Sequence, residues 1–178
     1  MLSNKLFQVF LVFVIFILGF GARLYKINAP LADWHSWRQA DTASVTKIFL
    51  EKGVDVFYPR YLDVSSIQTG IFNPEGFRMV EFPVFNIIHL VAVKIFNSLS
   101  FDAAGRSVSI IFSMVSTILL FLIAKKTIGT LGGIISAFFF AILPYNIYFS
   151  RVILPEPMLV TFLLFSLLMA IYYKEKGK

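Results

Sequence analysis

The chain has 178 residues, of which 58% are apolar and 15% charged, with a mean hydropathy of +0.80. Soluble domains average roughly 45–50% and 25%, and a fold this small has too much surface to hide the excess, so an ordinary soluble domain and a disordered chain are excluded, as is a disulfide scaffold, since there is no cysteine. In such a chain the net charge of +6 reads as topology signals and contact with anionic headgroups, and no nucleic-acid partner is expected.

A bilayer crossing needs about 20 mostly apolar residues. Four runs approach that length, at about 6–24, 107–124, 131–149 and 155–173. The first is read as an uncleaved anchor, because its apolar stretch exceeds a signal-peptide core and its Gly19/Gly21 cleavage site is weak. A fifth stretch, Phe82–Phe101, contains His89, Lys94 and two Asn, which are costly at the bilayer centre. Positive charge arbitrates. If the fifth stretch does not cross, Lys5, Lys125, Lys126, Lys174, Lys176 and Lys178 all fall on the cytoplasmic side. If it crosses, most of them move outside, against the positive-inside rule. The expectation is an all-α integral membrane protein with four spans, both termini inside, and a long outer loop over about 25–105. Phe82–Phe101 is then an interfacial or re-entrant helix within that loop. Ser109, Ser113 and Ser116/Thr117 share one face of the second span, and Gly129, Gly133, Ala137 and Ala141 repeat every four residues at the third, both suited to close helix contact.

The outer loop opens with a dense polar-aromatic cluster. Nine residues from Asp33 to Asp41 hold two carboxylates, His35, Arg38, Trp34 and Trp37. From Asp41 to Lys52 the apolar spacing predicts a short helix, ended by Gly53, with Asp41 placed to cap it. A carboxylate at a low-dielectric boundary can serve as a base. An arginine binds phosphate in a bidentate fork. Tryptophan faces suit a sugar ring. Glu81, before Pro83, joins this side in the expected topology, as do Arg106, Arg151 and Glu156, the last stiffened between Pro155 and Pro157. Together these residues describe transfer from a phosphate-linked substrate. His35 is a weak metal ligand, with only His89 as a possible His partner.

At these residues the chain resembles the N-terminal part of a glycosyltransferase of family 39, in the GT-C superfamily, which includes protein O-mannosyltransferases and lipid A aminoarabinose transferases. The likeness runs through Pro30-Leu31, Trp37-Arg38-Gln39 with Thr42-Ala43, Gly53, Glu81-Phe-Pro83, Arg106, Lys125-Lys126 and Ser150-Arg151. The adjacent Asp-Glu pair usual in the family is absent. The resemblance implies an inverting transfer of a sugar from a polyprenyl-phosphate donor on the extracytoplasmic face. It implies that an acid of the first outer loop, Asp33 or Asp41, deprotonates the acceptor. His35, Trp37, Arg38, Glu81, Arg106, Arg151 and Glu156 would bind substrate, and no metal or other cofactor would be required. The expected partners are the lipid-linked donor and membrane lipids, in a bacterial plasma membrane. Family members run to several hundred residues, so the chain reads as a fragment of a longer enzyme. The alternative is a non-catalytic membrane subunit that binds lipid phosphate in a cell-envelope assembly. A small transporter is disfavoured by the scarcity of ionisable residues within the spans.

Overall fold

The computed structural model describes residues 5–31, 35–65, 70 and 72–177. Among them six helices form: α1 (Lys5–Arg23), α2 (Ser36–Lys52), α3 (Val84–Ile95), α4 (Phe101–Ile142), α5 (Pro144–Phe149) and α6 (Glu156–Lys176). One isolated bridge, Arg60 with Phe77, is the only extended pairing among the described residues. By length and composition α1, α4 and α6 can cross a membrane. The chain divides into two compact units, one of residues 1–27, 109–151 and 155–178, the other of 28–108 and 152–154.

The expected second and third spans are the two arms of α4, separated at Gly129, where φ is 88° and ψ 174°. Only glycine takes that backbone without strain. Beyond it the chain turns back: a Cβ on Gly133 would lie 2.9 Å from the Phe121 carbonyl oxygen and 3.0 Å from Lys125 Cβ. The third expected run also differs at its other end. It stops at Ile142, because Pro144 forces Leu143 out of the helical region to ψ 124°, and α5 resumes as a separate short helix.

The small-residue stripe does the work expected of it. Ala137 and Ala141 are buried with Ile15 of α1 and Ile134, and a Cβ on Gly19 would sit 3.0 Å from Ala141 Cβ. Where lipid tails are as apolar as leucine, such close backbone approach is what holds helices together. The serine stripe is likewise buried, and Ser116 shares a 2.8 Å hydroxyl contact with Thr161 of α6. Lys126 pairs with Glu175 and lies over the Tyr172 ring, so the basic ends of the first arm of α4 and of α6 meet on one side. At the opposite end of α1, fully buried Arg23 donates to the carbonyls of Gly19, Ala141 and Phe140 and to Ser150 Oγ at 2.6 Å. It caps the C-terminal ends of α1 and α4, where helix dipoles favour a cation.

In the second unit Val45 and Phe49 of α2 pack on Leu90 of α3, with Tyr61 of the intervening segment against them. α3 has 12 residues, too few to span, in keeping with an interfacial reading. Two of its polar residues, Asn86 and His89, turn inward, while Lys94 stays exposed. Asn86 donates to the Thr42 carbonyl and to Thr46 Oγ1, and His89 is fully buried against Phe101. Val84, Val91 and Ile95 stay exposed on the other face.

Candidate functional site

The site assembles in the second unit, on the first half of α2. The helix starts earlier than expected, at Ser36, after His35 in a left-handed conformation (φ 59°). Asp41 therefore lies in the second turn rather than at a cap. That shift puts Arg38, Asp41, Thr42 and Val45 on one helical face, at three- and four-residue spacings.

Two acid–arginine pairs form on that face. Arg38 Nη2 donates to Glu81 Oε2 at 2.7 Å, both side chains remaining partly exposed. Asp41 Oδ2 accepts from Arg78 Nη1 at 3.0 Å, and here the side chains are only 11% and 4% exposed. The segment bringing Arg78 and Glu81 to α2 is an excursion from Asp55 to Pro83. It is tied by Tyr61 N–H to the Gly76 carbonyl and Arg78 N–H to the Pro59 carbonyl, each 2.8 Å. Arg78 also lies 5.1 Å over the Tyr61 ring. Burial pushes the Tyr61 phenol up, the Asp63 and Asp41 charges add to that, and Arg78 opposes it.

Beside the pairs is a small, partly open cavity of about 10 Å³, where Thr42, Arg78, Glu81 and Asn86 meet Val45, Pro59 and Pro83, with room for about one water. Beside it an open groove of about 260 Å³ is lined by Phe57, Met79, Val80 and Phe82. Glu81 borders both. Phe57 and Phe82 are 74% and 62% exposed, so two aromatic side chains stand open beside a carboxylate. Among the described residues no group of three His, Asp or Glu side chains is placed to hold a metal.

Asp33 lies outside the described residues, as does Trp34. His35 and Trp37 are exposed at the start of α2. Arg106 is buried and donates to the Ala29 and Pro30 carbonyls, so it fastens the beginning of the loop. Arg151 and Glu156 belong to the first unit. There Arg151 bonds the Tyr25 carbonyl and lies 5.5–5.6 Å from the Tyr25 and Tyr148 ring centres, and Glu156 opens α6. Arg78 was missed, because one arginine in an irregular stretch carries no periodic signal.

Long apolar helices with polar faces turned inward define an all-helical integral membrane protein. The dolichyl-phosphate-mannose-protein mannosyltransferase family matches residues 81–178, and the chain belongs to that family. The match begins at Glu81 and covers α3 to α6, while α2 lies before it. No curated protein and no solved structure matches the chain. Its family is one of membrane glycosyltransferases of the GT-C type.

Proposed function

We propose that the chain forms the N-terminal part of a GT-C membrane domain that transfers a sugar from a polyprenyl-phosphate donor to an acceptor on the extracytoplasmic face. The observation that carries this reading is the position of Glu81, on the border of the aromatic groove and locked to Arg38 at 2.7 Å. A sugar ring fits a groove of about 260 Å³, with Phe57 and Phe82 as its apolar faces and Glu81 as the acceptor for its hydroxyls. Arg38, bonded to Glu81, is assigned the donor phosphate. Asp41 and Arg78, buried together, brace α2 against the segment that carries Glu81. Asp33, three residues before α2, is assigned the role of base: it takes the proton of the acceptor hydroxyl as that oxygen attacks the anomeric carbon and the lipid phosphate leaves. Asp41 is the second candidate for that role.

The test is sugar transfer from undecaprenyl-phosphate mannose by the protein in liposomes. A positioned base contributes about 10²–10⁴-fold. Asp33→Asn should therefore lower turnover by about a thousandfold, and Glu81→Gln should chiefly raise KM for the donor. Wild-type rates in both Asp33→Asn and Asp41→Asn would remove the base assignment. Donor binding without any turnover in the parent chain would favour the non-catalytic lipid-binding subunit.

A further inference from the structure

The first unit carries a second, separate set of features. Where its long helices approach closely they do so through small side chains, as at Gly19 on Ala141. One face between α1 and the second arm of α4 is different. It is an apolar groove of about 470 Å³, bordered by Leu11, Leu18, Ile135, Phe138 and Phe139, with no Gly, Ala, Ser or Thr in its wall. A helix backbone needs small residues to settle that near. A flexible hydrocarbon chain does not.

Above the groove, toward the Arg23 end of α1, is a cationic-aromatic cluster. α1 ends at Arg23, five residues past Leu18 of the groove, and Tyr25 and Lys26 follow in the turn just beyond it. Arg151 lies between the Tyr25 and Tyr148 rings, at 5.5 and 5.6 Å, and bonds the Tyr25 carbonyl. Exposed Lys26 lies 5.5 Å from the Tyr25 ring. Among the described residues neither cation has a carboxylate partner. Both lie beside Tyr25, just past the end of α1, where a helix that crosses a bilayer would meet the headgroups. Half a bilayer core is about 15 Å, so a chain hanging from this cluster passes Leu18 and runs toward Leu11 within one leaflet.

We propose that this is a built site for an anionic phospholipid, the headgroup phosphate on Lys26 and Arg151 and one acyl chain in the α1–α4 groove. The site is independent of the transferase reading, since it uses neither α2 nor Glu81. Its occupant is a lipid of the leaflet at the Arg23 end of α1, held as part of the fold.

The full chain reconstituted in phosphatidylcholine vesicles, with chain-spin-labelled phosphatidylglycerol or phosphatidylcholine as the probe, tests it. Electron paramagnetic resonance then reports the immobilised lipid fraction. The phosphatidylglycerol label should be retained about fivefold more strongly than the phosphatidylcholine label, as one well-placed cation gives, and the preference should shrink as salt rises. The variant Lys26→Gln/Arg151→Gln should erase the preference. Lys26→Gln alone, at an exposed position, should reduce it with the helix content intact, which covers failure of the double variant to fold. Equal retention of both labels by the parent chain overturns the proposal, and so does an undiminished preference in Lys26→Gln. Undecaprenyl phosphate that displaces the phosphatidylglycerol label at far lower mole fraction overturns it in favour of a donor-lipid site.

Discussion

Replacing Asp41 by asparagine tests whether the brace between α2 and the segment that carries Glu81 is held by charge. The pair with Arg78 has an N···O distance of 3.0 Å and side chains 4% and 11% exposed. At that separation Coulomb attraction is about 5 kcal/mol with an effective dielectric constant near 20. Removing one partner of such a pair typically costs about 3–5 kcal/mol, because the remaining charge is left buried and uncompensated. Asparagine still offers Arg78 a carbonyl, so the lower end, about 3 kcal/mol, is expected. At about 1.4 kcal/mol per tenfold, the α2 amides that exchange only on opening of the second unit should exchange about a hundredfold faster. Hydrogen–deuterium exchange by mass spectrometry on the reconstituted protein, with Trp37 fluorescence as a check on α2, measures this. Asp41→Asn/Arg78→Met should recover much of the loss, since it leaves no lone charge. Exchange within about twofold of the parent in Asp41→Asn would refute the argument that the pair is desolvated.

Two further outcomes follow from His89. A Cβ on Gly105 would meet the His89 ring at 2.7 Å and Ile153 Cδ1 at 3.1 Å, so Gly105→Ala should cost about 1–3 kcal/mol, as overpacked cores do, read as faster exchange of the α3 amides. His89 Nε2 donates to the Phe101 carbonyl at 3.0 Å, its Nδ1 has no partner among the described residues, and burial holds its pKa below the usual 6.5. The folded state therefore resists protonation more than the unfolded chain. Stability is complete above about pH 6.5 and declines below it, by at most about 1.4 kcal/mol per pH unit. Thermal midpoints at pH 7.5 and 5.5 should differ more for the parent than for His89→Gln.

Periodicity announced the long helices because composition and helical period are averages over many residues. The serine stripe and the glycine–alanine stripe were also legible, since small or polar residues at helical spacing in an apolar run have few other uses. Local backbone events were not. The expected second and third spans do fall on either side of Gly129, but the residue at which the helix breaks was not named, and the stop at Leu143 depends on one proline. Arg38, Asp41 and Glu81 stood out as unusual residues in a hydrophobic chain. Their pairing did not, because it depends on where the excursion from Asp55 to Pro83 returns to α2. The topology argument put Arg151 and Glu156 on the same side of the membrane as Asp41; the first two belong to one packing unit and Asp41 to the other. Arg106 read as a phosphate ligand, yet its buried guanidinium fastens to backbone carbonyls, a use that sequence does not distinguish.

The guanidinium of Arg23 carries a consequence for biogenesis. Its remote partners, Ala141 and Ser150, lie 118 and 127 residues further along the chain. A ribosome adding about 5–20 residues per second needs roughly 6–25 s to deliver them. For that interval the first hydrophobic segment holds a cation at its end that nothing of its own sequence beyond Gly19 can shield. Interfacial water and lipid phosphates can host it meanwhile, and swapping α1 for a generic anchor would leave the late-arriving Ser150 and the Ala141 carbonyl without the group they close on.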